Sequence, residues 1–162
     1  NEGAKVYISD INQERLEEVR DKYSVTIYEG DNIYAEEMDI YAPCALGATI
    51  NDQTLSQLKA KVIAGAANNQ LAEENKHGLL LKEKGIVYAP DFLINAGGII
   101  NVYAELENYG KKEIIRKTEN IYNTTLEILE NAAINGVTSH QAAFDIAKAR
   151  IDARRLKKTN SN

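Results

Sequence analysis

Three stretches of this 162-residue chain carry residues able to hold or transform a small molecule. The first is Asp10, at the C-terminal end of the β-branched run Ala4–Ser9 and just before a helix that Asn12 can cap. An acid at a strand end can accept hydrogen bonds from the two hydroxyls of a ribose, and its charge repels a 2′-phosphate. An aspartate there is equally a turn residue. The second is Gly65-Ala66-Ala67-Asn68-Asn69. Small residues let a flat ring approach the backbone, and amide side chains can bond sugar hydroxyls or a carboxamide. The same residues also make an Asx turn and a helix cap. The third is Asn95-Ala96-Gly97-Gly98. Two glycines in a first helical turn cost helix stability, which is easiest to explain if something approaches that backbone closely. The alternative is a tight turn with glycines for packing.

Other reactive side chains offer less. Cys44 is the single cysteine, and no neighbouring residue marks a base that would activate it. His77 and His140 lie far apart, read as surface residues, and fit no metal-ligand spacing, so no metal is expected. Arg150, Arg154, Arg155, Lys157 and Lys158 form a basic end that reads as a solvated helix face favoured by the helix dipole.

The totals narrow the class. A net charge of −5 argues against a nucleic-acid surface over the whole chain. No apolar run approaches the roughly 20 residues of a membrane span. One cysteine excludes an internal disulfide and suits a reducing cytoplasm. Asn1-Glu2-Gly3 reads as the tail of a helix with Gly3 as its cap, so the chain is expected to be part of a longer one.

The elements that must position these residues alternate. Strands are predicted at Ala4–Ser9, Val25–Tyr28, Asp39–Ala42, Lys61–Ala64 and Ile86–Tyr88. Helices are predicted at Gln13–Lys22, with an Ile11–Leu16 staple, from Asn51 or Asp52 to Leu58, and over Ala72–Lys84. Phe92-Leu93-Ile94 reads as extended, and Asn95 as the cap of a helix to Asn108. Lys111–Asn135 and a helix from a Thr138–Gln141 capping box to Leu156 complete the chain, and Lys157–Asn162 is expected to fray. Strands alternating with helices imply a mostly parallel sheet with right-handed crossovers. The strand ends at Asp10, Pro43–Leu46, Gly65–Asn69 and Asn95–Gly98 then share one edge.

Three stretches together carry a resemblance: Ala42–Asp52 (APCALGATIND), Lys61–Leu71 (KVIAGAANNQL) and Ile86–Val102 (IVYAPDFLINAGGIINV). They resemble the nucleotide-binding domain of the amino-acid dehydrogenases acting on glutamate, leucine, phenylalanine and valine, most of all the leucine-type branch. The resemblance implies an α/β fold: an incomplete Rossmann-type doubly wound parallel sheet that lacks its first strand and Gly-rich turn, followed by C-terminal helices. It implies a partial dinucleotide-binding domain over residues 1–110 and helices over 111–162 that pack on it and toward an N-terminal catalytic domain outside this chain. Strand order 3-2-1-4-5-6 makes the lacking strand central, so Ala4–Ser9 and Asp39–Ala42 should flank a gap or collapse onto each other, with exposed edges and marginal stability.

The function implied is reversible oxidative deamination of an L-amino acid to the 2-oxo acid and ammonia, with NAD as cofactor. No catalytic residue is expected in this chain. Asp10 matches the ribose-binding acid; Cys44, Ala45 and Leu46 match the wall beside the cofactor. Ala66, Ala67 and Asn68 match the loop around the nicotinamide ribose, and Asn95 the residue facing the nicotinamide end. Ile99 and Val102 match positions lining the substrate side-chain pocket. Both are aliphatic, and burying a carboxylate against valine without a partner is costly, which favours a branched-chain substrate over glutamate. The partners implied are the amino acid, the N-terminal catalytic domain and further copies in a homo-oligomer, with neither nucleic acid nor membrane. A glutamate-type enzyme and a non-catalytic dinucleotide-binding module are the alternatives.

Overall fold

All five predicted strands form, each reduced to a two-residue ladder core. In the computed structural model, which describes residues 3–159, they are β1 (Tyr7–Ile8), β2 (Thr26–Ile27), β3 (Ile40–Tyr41), β4 (Val62–Ile63) and β5 (Val87–Tyr88). Every pairing is parallel, as crossover helices require. Two separate ladders result among the described residues: β1 with β2, and β3-β4-β5 with β4 in the middle. An isolated bridge between Ile50 and Leu71 extends the second ladder past its strand ends.

The helices follow their caps. The Asn12 side chain accepts from Arg15 N–H and opens α1 (Gln13–Lys22). The predicted Ile11–Leu16 staple does not form, because Ile11 is fully exposed while Leu16 is buried. Asn51 and Thr54 make a reciprocal capping box at the start of α2 (Asp52–Gln57). Helix α3 (Glu74–Glu83) ends at Gly85, whose φ of +70° suits glycine. Helix α6 (Lys111–Asn135) ends at Gly136, with φ of +62°. Thr138 Oγ1 accepts from Gln141 N–H in the first turn of α7 (Ser139–Thr159). That helix runs three residues past its expected end at Leu156; residues 160–162 of the expected frayed tail lie outside the described residues, as does the helix tail expected before Gly3.

One segment departs from expectation. Phe92–Ile94 is helical, as α4 (Asp91–Ile94), and Asn95 closes that turn instead of opening the next helix, α5 (Gly97–Leu106). Pro90 stands before α4 with φ of −55°, already near the helical value, and the Asp91 carboxylate sits in its first turn, where negative charge is favoured. Those two residues outweigh the β preference of Phe92 and Ile94.

Burial is uneven. The main core, Ile50, Leu55, Leu58, Ala60, Ile63, Leu71, Leu81 and Tyr88, packs α2 and α3 against β3–β5. A second core joins α6 to α7 through Ile128, Ala132, Ala142 and Ala143. On α6 the buried positions are Ile128 and Ala132, while Thr118, Tyr122 and Ala133 are exposed. Among the described residues before Ile33, Leu16 alone is buried, so the β1–β2 ladder rests on one core side chain.

Candidate functional site

The loops after β3, β4 and β5 lock together, and the lock starts from glycine. A Cβ on Gly65 would fall far inside contact distance of the Pro43 carbonyl oxygen and nitrogen, and 2.6 Å from Pro43 Cδ. With no side chain there, Ala67 N–H reaches Pro43 O at 2.9 Å. Ala48 N–H donates to Asn69 O at 2.7 Å, and Ile50 N–H to Gln70 O at 3.0 Å. Ala48 and Asn69 hold positive φ, 56° and 52°, at this crossing of backbones. The loop from Gly65 to Gln70 is therefore held along its length by the loop from Pro43 to Ile50.

The loop after β5 joins from the other side. Asn95 Nδ2 donates to Asn68 Oδ1 at 2.5 Å. That bond leaves Asn68 Nδ2 to donate and the side-chain oxygen of Asn95 to accept at the strand-end loops. Beneath them, Gln70 is fully buried. Its Nε2 donates to Gly65 O at 2.7 Å and to Ala67 O at 2.9 Å. Tyr88 Oη donates to Asp91 Oδ1 at 3.0 Å, and Gln70 N–H points at Asp91 Oδ2 at 3.4 Å. Sequence reading missed Gln70, Tyr88 and Asp91; the one signal was an acid and a tyrosine three residues apart around Pro90.

The remaining predicted residues are placed as follows. Cys44, Ala45 and Leu46 are exposed on the loop after β3, and Ala66 is exposed beside them. Ala67 is buried, so only its backbone faces the loop surface. Ile99 and Val102 are 72% and 60% exposed on α5, on one apolar face with Tyr103 and Leu106. A Cβ on Gly98 would meet nothing within 4 Å, and one on Gly97 only Thr118 Cγ2 at 3.9 Å. Packing among the described residues thus does not require these two glycines. Asp10 stands apart, at the end of β1 on the other ladder; its Oδ1 accepts from Asn12 N–H at 2.9 Å, leaving Oδ2 to solvent.

Both histidines are buried, against expectation. His77 Nδ1 accepts from Glu73 N–H at 2.9 Å, so the ring proton is on Nε2, 3.3 Å from Asp52 Oδ1. Asp52, Glu73 and His77 gather ligand-type atoms within 4.8 Å of one another. The charge between the two acids is Lys76, whose Nζ lies 2.6 Å from Asp52 Oδ2 and 3.2 Å from Glu73 Oε1. Its hydrogen bond holds the Asp52 carboxyl below the usual range. This group clamps α2 to α3. His140 packs edge-on against Phe92, 5.4 Å between centroids, with Nε2 3.2 Å from Glu74 Oε2. Both rings serve packing, and their position on the same helical side as Leu81 and Ala143 was the available signal.

Burial, and then the Asp91 charge, push the Tyr88 phenol above its ordinary value of 10.0; burial and Tyr34 do the same to Tyr41. A raised folded-state value means that stability is complete below the ordinary tyrosine pKa and falls as pH rises through it. Denaturant midpoints should therefore decline above about pH 10. Tyr88→Phe should flatten that decline.

Residues 4–158 match the family model of the glutamate/leucine/phenylalanine/valine dehydrogenases. The chain belongs to this family. It is 50% identical over 161 residues to the leucine dehydrogenase of Thermoactinomyces intermedius, covering 99% of this chain and 43% of that protein. It is 47% identical over 158 residues to the phenylalanine dehydrogenase of Bacillus thermotolerans, covering 94% and 41%. The crystal structure of L-tryptophan dehydrogenase from Nostoc punctiforme superposes with a TM-score of 0.88 at 44% identity, over 92% of this chain and 45% of that one. The chain thus spans less than half the length of these family members. The tryptophan dehydrogenase structure agrees with this α/β architecture of parallel strands and helices, and each of the three is named for an amino acid.

Proposed function

We propose that this chain is the NAD-binding side of an amino-acid dehydrogenase that oxidatively deaminates a branched-chain L-amino acid. The observation that carries the reading is the Asn68–Asn95 amide pair, presented where three strand-end loops meet. Its free N–H groups and carbonyl oxygen suit a ribose hydroxyl and a carboxamide, and small Ala66 and open Gly98 leave room for a flat ring beside it. Asp10 keeps one carboxylate oxygen for adenosine ribose hydroxyls, which selects against a 2′-phosphate. NAD, when bound, supplies the hydride acceptor.

In this reading the two ladders are flanks of one doubly wound sheet, ordered β2-β1 and β3-β4-β5 about a central strand and Gly-rich turn supplied from outside the chain. The separation of β1 from β3 supports it, as does the exposure of Ile40, 61%, on the facing edge. Residues 1–110 form the dinucleotide unit, and α6 and α7 form the arm that meets the catalytic domain. Ile99 and Val102 wall the substrate side chain. The names of the relatives, which span leucine, phenylalanine and tryptophan, support an apolar substrate.

The test is NAD reduction by the protein expressed from its complete reading frame, over a panel of leucine, valine, isoleucine, phenylalanine, tryptophan and glutamate. Leucine-type turnover above the others is expected. Asp10→Ala should raise the NAD KM by about 10-fold or more, and narrow the preference over NADP. Glutamate turnover above leucine would overturn the substrate assignment. NADH binding without turnover of any amino acid would leave a non-catalytic module.

A further inference from the structure

We propose that Gln70, Asp91 and Tyr88 form a buried positioning bracket that sets the spacing of the Asn68 and Asn95 amides, an inference that rests on the dinucleotide reading above. The surface bond between the two amides is a single exposed contact, and water competes for both partners. It cannot by itself hold two loops in register. The buried layer can. Gln70 reaches three loops with one residue: its side-chain N–H groups take the carbonyls of Gly65 and Ala67, on either side of Ala66; its backbone oxygen accepts from Ile50 N–H; and its backbone N–H faces Asp91. Asp91 then ties that loop to β5 through Tyr88 Oη, whose raised phenol value keeps a proton there to donate. Asn95 N–H closes the circuit on Asp91 O at 3.0 Å.

One feature of this bracket is a poor choice for folding alone. Gln70 Oε1 is buried with no hydrogen-bond partner, and an unpaired buried acceptor is destabilising. Gln70 is accounted for by what its other atoms hold, the carbonyls flanking Ala66. The Asp91 carboxylate, 8% exposed at the start of α4, spends its two oxygens on Tyr88 and on the Gln70 loop. Gln70 and Asp91 act through Asn68 and Asn95, so their role is positioning.

The test uses the protein from its complete reading frame. Gln70→Met keeps the volume and removes the amide; Asp91→Asn keeps the shape and turns an acceptor into a donor facing Gln70 N–H. NADH affinity is read by fluorescence titration, with KM for amino acid at saturating NAD and thermal midpoint alongside. Each variant should weaken NADH binding about 10-fold or more while the amino-acid KM stays within about 3-fold. Leu55→Val, a core change on α2, should lower the thermal midpoint and leave NADH affinity within about 2-fold. If Gln70→Met fails to fold, Tyr88→Phe carries the test, with an expected loss near 3-fold. Unchanged NADH affinity in folded variants, or a loss in Leu55→Val matching theirs, overturns the bracket. A wild-type protein that neither binds NADH nor reduces NAD overturns the underlying reading instead.

Discussion

Gly65→Ala should unfold or severely loosen the β3–β5 half of the molecule. The added methyl would occupy space already filled by the backbone oxygen and nitrogen of Pro43 and by Pro43 Cδ at 2.6 Å. Neither neighbour can rotate away. Pro43 is a ring fixed in the chain, and its carbonyl is bonded to Ala67 N–H. Relief requires the loops after β3 and β4 to separate, which breaks that bond and strains Ala48–Asn69 and Ile50–Gln70. Overpacking of this kind costs about 3 kcal/mol or more when backbone has to move. That is a large part of the roughly 5–15 kcal/mol that holds a domain together. A urea midpoint within experimental error of the parent would contradict this account. Retained stability with a changed denaturant slope would show that the loops had separated without unfolding.

Leu81→Ala should cost about 2–5 kcal/mol, toward the upper end of that range. Leu81 is 1% exposed and packs among Ile50, Ile63 and Tyr88. It also borders an open groove of about 290 Å³ between α3, β5 and the α6–α7 turn, lined further by Val87, Ala132 and Val137. Space already lies on its far side, so neighbours have little to press into the new void, and incomplete collapse is what makes such deletions expensive. The measurement is the urea midpoint at unchanged slope. A shift worth under 1 kcal/mol would mean that α3 settles toward β5.

Much of the frame was legible because local signals agreed. β-branched runs, Asn51, Gly85, Gly136 and Thr138 each dictate a local conformation, and the elements they delimit all form. Phe92–Ile94 reads as a strand because its own side chains favour one, whereas Pro90 and Asp91 set the helical turn that follows them. Asn68 and Asn95 were each legible as candidates, but their contact spans 27 residues and depends on two loops meeting. Gln70 and Asp91 were invisible for the same reason, since a buried polar residue looks like any polar residue until its partners are known. Both histidines read as surface residues because a single polar residue on an otherwise apolar helix side leaves the period ambiguous.

The split between the two ladders has a consequence for binding. Asp10 belongs to the ladder secured by Leu16, whereas Asn68 and Asn95 belong to the half built on Ile50, Ile63 and Leu81. Segments with little buried apolar surface open at lower free energy than the rest of a chain. A ligand gripped by both halves meets a complete site only in the fraction of molecules whose first ladder is closed, and its apparent dissociation constant is the intrinsic one divided by that fraction. Whatever fixes β1 relative to β3 would therefore tighten the grip on such a ligand without touching it.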